Sequence, residues 1–384
     1  MADRTVVILG AGTAGLVAAR RLRRSLGAAD RVVLVDRDPT FRFAPSFLWV
    51  MTGARRPERI SADRRRLRRA GIEMLGAEVL AIDPGQRSVK TSEAKIGFDR
   101  LVIALGAELA PDDLPGFGRA AHNLYTLEGA IAARDALAGF AGGRLAVLVS
   151  RMPYKCPAAP YETAFLAEAL LRHRGVRDRT TIDIYTPEPY PMPTAGPVLG
   201  NALADMLAAR GITLHTGHTV ESIDPDAAQL VMADGQVADF DLLLGIPPHR
   251  APESLRTSGL AVETGFVAVD RSTLATAAEG VFAVGDATTI PIAGGKFLPK
   301  AGVFAEAEAQ VVAANLAAEL AGRPATSRFD GKGACFVELG DRRASFASGD
   351  FFADEAPKVT LRRPGPHWHL AKVAFEQYWM RRWA

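Results

Sequence analysis

The sequence predicts an α/β protein with at least two parallel-sheet units of the strand, turn, helix type, and two segments carry that expectation. Thr5–Leu9 is a short apolar run followed at once by Gly10-Ala11-Gly12-Thr13-Ala14-Gly15 and then by helically spaced Ala, Arg and Leu over residues 16–26. Residues 145–149 form a second apolar run, followed by a loop and by helical spacing of Tyr161, Ala164, Phe165 and Ala169. At roughly 150 residues per domain, 384 residues leave room for two or three lobes, each with its own core.

The glycine turn has a specific physical logic. Gly10 permits a tight turn, Gly12 lets the backbone approach a pyrophosphate, Gly15 lets helix and strand pack closely, and the helix N-terminus faces the anion. A second strand, Arg31–Val35, ends in Asp36, where a carboxylate meets ribose hydroxyls in a dinucleotide fold. The N-terminal unit is therefore expected to be Rossmann-like and to hold a dinucleotide, whose identity the glycines alone leave open.

Composition bounds the rest. With 48% hydrophobic and 23% charged residues, the chain falls among ordinary globular proteins rather than disordered or fibrous ones. A formal charge of +3 gives no nucleic-acid footprint. No window approaches the 18 to 20 apolar residues of a membrane span, and no small-residue cleavage site follows the first apolar run, so neither a transmembrane helix nor a signal peptide is expected. Cys156 and Cys335 are too few for a disulfide framework and offer no metal-ligand spacing, so no metal is expected.

The second unit departs from the first. After residues 145–149, where glycines would admit a nucleotide, the chain reads Arg151-Met152-Pro153-Tyr154-Lys155-Cys156-Pro157. Prolines and bulky side chains oppose close phosphate approach, so tight NAD(P)H binding is not expected there.

Several motifs resemble the pyridine nucleotide-disulfide oxidoreductase superfamily, whose members carry two dinucleotide-binding domains. Residues 98–107, Phe-Asp-Arg-Leu-Val-Ile-Ala-Leu-Gly-Ala, resemble its strand-to-glycine crossing, with Leu105 where a Thr or Ser is common. Residues 280–287, Gly-Val-Phe-Ala-Val-Gly-Asp-Ala, resemble its late flavin motif. Within that superfamily, Cys156-Pro157-Ala158-Ala159-Pro160-Tyr161-Glu162 is similar to the Cys-Pro-x-x-Pro-Tyr-Glu loop of sulfide:quinone oxidoreductases and of the flavoprotein subunit of flavocytochrome c sulfide dehydrogenase. Residues 333–340, around Cys335-Phe336, are similar to their late Cys-Phe segment, and residues 41–46 resemble the loop after their second strand.

The resemblance implies two Rossmann-like domains plus a C-terminal α+β region. The FAD-binding domain would be discontinuous, from residues 1–110 and 265–325; residues 111–264 would form a second domain without a competent NAD fingerprint, and residues 326–384 the acceptor and membrane-association region. It implies noncovalent FAD, held by Gly10, Gly12, Thr13, Ala14, Gly15, Asp36, Arg37, Arg42, Pro45, Val79, Ala104, Gly106, Gly285, Asp286, Lys300, Ala301 and Gly302. Cys156 and Cys335 would form a redox pair oxidising sulfide or another small sulfur nucleophile, with Glu162 as a candidate acid or base. Phe336 and Phe375 would stand near a quinone, or a cytochrome would take the electrons. The third cysteine of many such enzymes is missing, and Pro191-Met192-Pro193 stands where a catalytic histidine is expected.

Two stretches bear on location. Trp368, Phe375, Trp379 and Trp383 can share one helix face with a basic rim, as in an interfacial amphipathic helix, or can pack on the core or on a second copy of the chain. Residues 55–69 hold eight arginines, which read as a solvated helix face. A peripheral membrane or cytoplasmic protein is expected. Two other readings remain open: a type II NADH:quinone reductase, and a flavin-bound redox sensor without turnover.

Overall fold

The computed structural model describes residues 4–384. Its first sheet has five parallel strands in the spatial order Val281–Ala283, Arg100–Ile103, Thr5–Leu9, Arg31–Val35 and Glu73–Leu75. Both faces are covered, so Val6, Val7, Ile8 and Leu9 are all buried, as a continuous apolar run requires. The outermost strand comes from late in the chain, which makes this unit discontinuous. Thr5–Leu9 lies at the point where the strand order reverses, and ligands of open α/β sheets bind beyond the carboxyl ends of strands at such a point.

The second sheet is also parallel and five-stranded, in the order Ala121–Asn123, Leu242–Ile246, Gly143–Val149, Thr180–Thr186 and Ile212–Thr216. A three-stranded antiparallel sheet, Lys332–Glu338, Ala344–Asp350 and Lys358–Leu361, then precedes the C-terminal helix Pro366–Trp383. The helix Gly302–Leu320 packs along Thr13–Ser25, and the small side chains Ala305, Ala309 and Ala313 allow the close approach. No helix is long and apolar enough to cross a membrane among the described residues.

One sequence expectation changes. The arginine-rich stretch is not one helix face: it folds as two short 3-10 turns, Pro57–Ile60 and Arg64–Ala70, around the strand Ser61–Asp63, and Arg64 is buried against Asp36. The pattern of charge hid it, because arginine runs say nothing about which member finds a carboxylate inside.

Of the arrangements the sequence leaves open for the C-terminal aromatics, packing on the core is the one that Trp379 and Trp383 adopt. Trp379 and Trp383 are each only 1% exposed, and Trp379 stacks on Phe41 at 5.0 Å while its indole N–H donates to Glu306 at 3.0 Å. Arg20 donates to the carbonyls of Trp383 and Ala384, pinning the end of the helix to Thr13–Ser25. Trp368 stacks on Phe346 at 4.7 Å, and what remains outward is Leu370, Phe375 and Tyr378. Core packing takes two of the three tryptophans because their area is worth most where water is excluded. Trp379→Ala is expected to cost about 3–5 kcal/mol in urea unfolding; a loss below about 1 kcal/mol would show that the helix is not docked in this way.

Candidate active site

The first glycine loop is packed in two places and open in one. Gly10 has φ +91°, and a Cβ there would lie 2.3 Å from the carbonyl oxygen of Ala104; one on Gly15 would lie 1.8 Å from the carbonyl oxygen of Gly10. A Cβ on Gly12 would meet nothing within 4 Å. So Gly10 and Gly15 are required by the fold, whereas Gly12 is left bare toward open space at the start of Thr13–Ser25.

Asp36 holds this loop in place. Its Oδ2 accepts the Ala11 N–H at 2.6 Å, and its Oδ1 accepts from Arg64 at 2.9 Å, while Arg64 also donates to the Ala11 carbonyl at 2.8 Å. The sequence reading gave Asp36 only a ribose; Arg64 was missed, and with it the fact that the carboxylate braces the loop. Around it, Arg37 pairs with Glu78 at 3.2 Å on the strand approach to Val79, and Arg42 pairs with Asp38, with Pro45 exposed beyond it.

A second helix start lies beside the first. A Cβ on Gly302 would stand 3.9 Å from Thr13 Oγ1, and one on Gly285, at φ +70°, would stand 3.1 Å from Ala305 and 3.5 Å from Ala14. Ala301 is the N-cap of Gly302–Leu320 and supplies no side-chain cap, and Gly12 is the equally bare N-cap of Thr13–Ser25. Gly106, after Arg100–Ile103, is open as well. Two helix N-termini with free N–H groups and adjoining bare glycines fit the diphosphate of a dinucleotide.

Asp286 and Lys300 line a cavity next to these helix starts, together with Gly285, Ala301 and Glu308. Lys300 is buried and donates to the carbonyls of Asp286 at 2.7 Å and Thr288 at 3.0 Å. Burial pulls its ammonium down to about 8, against the opposing pull of Asp286 and Glu308. Its position before the helix is thus a buried brace rather than a solvated lysine.

The cysteine loop comes next to Lys300 in space. The Cys156 N–H donates to the Lys300 carbonyl at 2.7 Å, with Cys156 at φ +55° before the helix Ala159–His173. Tyr125 donates its hydroxyl to the Lys155 carbonyl at 2.5 Å and lies 3.3 Å from that of Cys156. Cys335 sits on Lys332–Glu338, and both thiols are free, half-buried and packed on one apolar cluster. Burial pushes Cys335 up to about 12; burial, then the negative charges of Glu162 and Cys335, pushes Cys156 further still.

Glu162 ties these parts together. It is buried, its Oε1 accepts the Glu338 N–H at 2.8 Å and the Lys372 ammonium at 2.9 Å, and so it joins the Cys156 helix to the Cys335 strand and to the C-terminal helix. His369 bonds Glu338 at 3.0 Å in the same cluster. Lys372, read in the sequence only as part of the basic rim of the C-terminal helix, is buried here, and it and His369, which carried no signal, complete this network. Phe336 lies 6.3 Å from Phe375 and 5.2 Å from Phe346, and Phe375 lies 6.1 Å from the buried Phe43, so the two residues named for a quinone meet at an apolar edge.

At the corresponding end of the second sheet, the space beyond the strands is filled by side chains. Tyr161 donates its hydroxyl to Glu188, Thr186 donates to the same carboxylate at 3.1 Å, and Tyr154 is 4% exposed. Arg151 donates to the carbonyls of Ser150 and Val220.

A family model described as pyridine nucleotide-disulphide oxidoreductase matches residues 4–311, so the chain belongs to that family and is an FAD-dependent oxidoreductase. Within it, the chain is similar to the mitochondrial sulfide:quinone oxidoreductase of Mus musculus, 25% identical over 369 residues that cover 91% of this chain and 78% of that one. It is also similar to the sulfide-quinone reductase of Aquifex aeolicus, 28% identical over 98% of this chain and 90% of that one. The X-ray structure of the Aquifex aeolicus sulfide:quinone oxidoreductase matches this fold with a TM-score of 0.87 and 25% identity, over 98% of this chain and 90% of that one. The relatives also include alternative NAD(P)H-ubiquinone oxidoreductase C1 of Arabidopsis thaliana, 28% identical over 83% of this chain and 68% of that one.

The two classes of glycine are separable by experiment. Gly12→Ala is expected to fold, because its Cβ meets open space, yet to lose FAD affinity by roughly 10-fold or more where backbone must approach phosphate. Gly15→Ala should instead lower apoprotein stability, because its Cβ meets backbone. Apoprotein thermal unfolding and FAD titration check both; full FAD affinity in Gly12→Ala would remove the cradle from this loop.

Proposed function

We propose that the protein oxidises sulfide at Cys156 and Cys335 and passes the electrons through FAD to a quinone. The observation that carries this reading is the convergence of two thiols from separate segments on one apolar cluster beside Lys300, at the end of the FAD cradle. The similarity to sulfide:quinone oxidoreductases over nearly the whole chain supports it.

The resting pair is a Cys156–Cys335 disulfide, or a sulfur-bridged form of it. Hydrosulfide attacks one sulfur, forming a new S–S bond and breaking the old one, so one cysteine becomes a persulfide and the other a thiolate. A thiolate in this site is poorly solvated, since burial pushes both thiols far up; only Lys372 opposes that cost for both. The freed thiolate is thereby a strong electron donor. When bound, FAD would supply a two-electron acceptor and a path to the quinone. The persulfide sulfur leaves to a second sulfur nucleophile, and the two electrons left by re-forming the bridge depart toward the quinone.

Phe336 and Phe375 offer an apolar edge for the quinone ring, with Phe375 38% exposed beside Leu370 and Tyr378 on the outward side of the C-terminal helix. That outward strip is where contact with a membrane surface would fall. Glu162 acts as a positioning group: its Oε1 holds Lys372 and the Glu338 N–H and so fixes the helix after Cys156 against the strand of Cys335. The second domain, residues 111–264, serves as the frame for the cysteine loop. Tyr154, Tyr161 and Glu188 are buried together near the end of the second sheet, where a second dinucleotide would bind, which weighs against NAD(P)H as donor.

Cys156→Ser and Cys335→Ser are each expected to keep FAD content and to lose sulfide-dependent quinone reduction by roughly 1,000-fold or more. In the reduced protein, alkylation of either thiol by iodoacetamide at pH 8 should run at least about 100-fold slower than for free cysteine, since the thiolate is scarce. Full turnover in either serine variant, or alkylation at the free-cysteine rate, would defeat the reading.

A further inference from the structure

The inward stripe of the C-terminal helix Pro366–Trp383 opens with titratable groups. His369, Lys372, Glu376, Trp379 and Trp383 follow one another at spacings of three and four residues, which sets them on one face, and Lys372 and Glu376 are buried there with the two tryptophans. The tryptophans suffice to dock a helix, whereas each polar group at its start costs free energy to bury. Glu376 is answered within the frame, by Arg55 at 2.9 Å and by the Ser46 hydroxyl. His369 and Lys372 lead instead to the thiol site.

His369 is where this stripe meets solvent. Its side chain is 17% exposed, against 1% for Glu338, 5% for Glu162 and 9% for Lys372. Its Nδ1 bonds the Glu338 carboxyl at 3.0 Å, and its Nε2 has no partner among the described residues and is not enclosed by them. Glu338 belongs to the strand of Cys335 and Phe336, and its N–H donates to Glu162. Lys372 serves both carboxyls: burial disfavours its ammonium, yet the charges of Glu162, which it bonds at 2.9 Å, and of Glu338 hold it above the usual lysine range. From the helix Phe47–Met51, Trp49 meets His369 edge-on at 5.7 Å and lies 5.0 Å from the Lys372 ammonium, while Arg55 beyond it is paired with Glu376. Two buried carboxyls thus share one ammonium, and neutrality takes one more proton on the Glu338–His369 pair.

The proposed reaction calls for such a proton. Hydrosulfide gives up two electrons and one proton as its sulfur leaves to a second nucleophile, and a quinone takes up two electrons and two protons. Each turnover therefore draws one proton from solvent to the apolar edge of Phe336 and Phe375, and these residues flank the cluster in sequence, Phe336 two before Glu338 and Phe375 three after Lys372. We infer that His369 is the proton-uptake residue of this site: Nε2 gains a proton from water, Nδ1 gives one up to the Glu338 carboxylate, and Glu338 makes good the proton that Lys372 and Glu162 lose toward the quinone. Imidazole suits the task because its two nitrogens exchange protons on opposite sides of one ring near neutral pH. His369 acts through Glu338 and touches no reacting atom. The inference rests on a quinone as acceptor and not on sulfide as donor.

The test starts from FAD-loaded protein reduced with just enough dithionite, so that no sulfur chemistry is involved, and follows recovery of flavin absorbance on mixing with a short-chain quinone in stopped flow. His369→Asn keeps an N–H donor for Glu338 but cannot take up a proton, so its reoxidation is expected to be roughly 10-fold slower or more, with FAD content and thermal unfolding unchanged. Added imidazole should restore most of that rate. Glu338→Gln should be slow as well and indifferent to imidazole, because the carboxyl that receives the proton is gone. His367, which packs on Trp368, provides the control, and His367→Asn should reoxidise at the unaltered rate.

Reoxidation of His369→Asn within about twofold of the unaltered protein overturns the inference. A slow His369→Asn that imidazole does not restore overturns it too, since that is the mark of lost support for Glu338 alone. If His369→Asn does not fold, His369→Gln takes its place with the same outcomes. Failure of the quinone to reoxidise even the unaltered protein sinks the acceptor reading and the inference together. If sulfide fails to bleach the flavin but the imidazole rescue is seen, the sulfide reading falls and the role of His369 stands.

Discussion

The buried ion pair between Glu162 and Lys372 is the constraint on which the site geometry depends. The two thiols come from segments 179 residues apart, and what brings them onto one cluster is the junction of the Ala159–His173 helix, the Lys332–Glu338 strand and the C-terminal helix. All three meet at a single carboxylate oxygen. Such a pair gains little net stability over an apolar replacement, but removing one partner strands a charge inside. Its return is registry: the strand carrying Cys335 is set against the helix that follows Cys156 by directional bonds that apolar packing alone would leave free to slide.

The same economy is repeated at the cofactor cradle. Asp36 and Arg64 fix the glycine loop from behind, and Lys300 and Glu308 fix the Gly285 turn, so in each case buried polar side chains hold the backbone of the turn in shape. Backbone that must accept a diphosphate cannot satisfy itself within a helix, so its shape has to be enforced by side chains behind it. Lys300 links the two centres, since its side chain braces the Gly285 turn and its carbonyl receives the Cys156 N–H. In the proposed reaction, electrons passing from thiol to flavin would cross a region where one residue positions both ends.

Much of this was legible in the sequence, and the parts that were not share a cause. The first strand, its glycine loop and the Asp36 strand are read from local spacing, because a tight turn, a bare backbone and a helix start lie within a dozen residues. The Cys156 loop was equally legible as a departure, since prolines and a tyrosine where glycines are needed speak for themselves. Arg64, Lys372, His369 and Glu308 were not, because each was one polar residue among many on a helix or turn, and its meaning lies in a partner between 23 and about 210 residues away. The C-terminal tryptophans illustrate the same limit: helical spacing placed them together, but only the bulk of Phe41, Phe43 and Thr13–Ser25 decided that two of them face inward.

The central claim is that electrons enter from a sulfur nucleophile at the thiol pair and not from a nicotinamide in the second domain. Anaerobic stopped-flow absorbance of the FAD-loaded protein, mixed in turn with sulfide and with NADH and then with a short-chain quinone, tests it most directly. Rapid bleaching of the flavin by sulfide, none by NADH, and recovery on adding quinone is the result the account predicts. Bleaching by NADH with no response to sulfide would contradict it and would mean that the packing of Tyr154, Tyr161 and Glu188 opens to admit a dinucleotide.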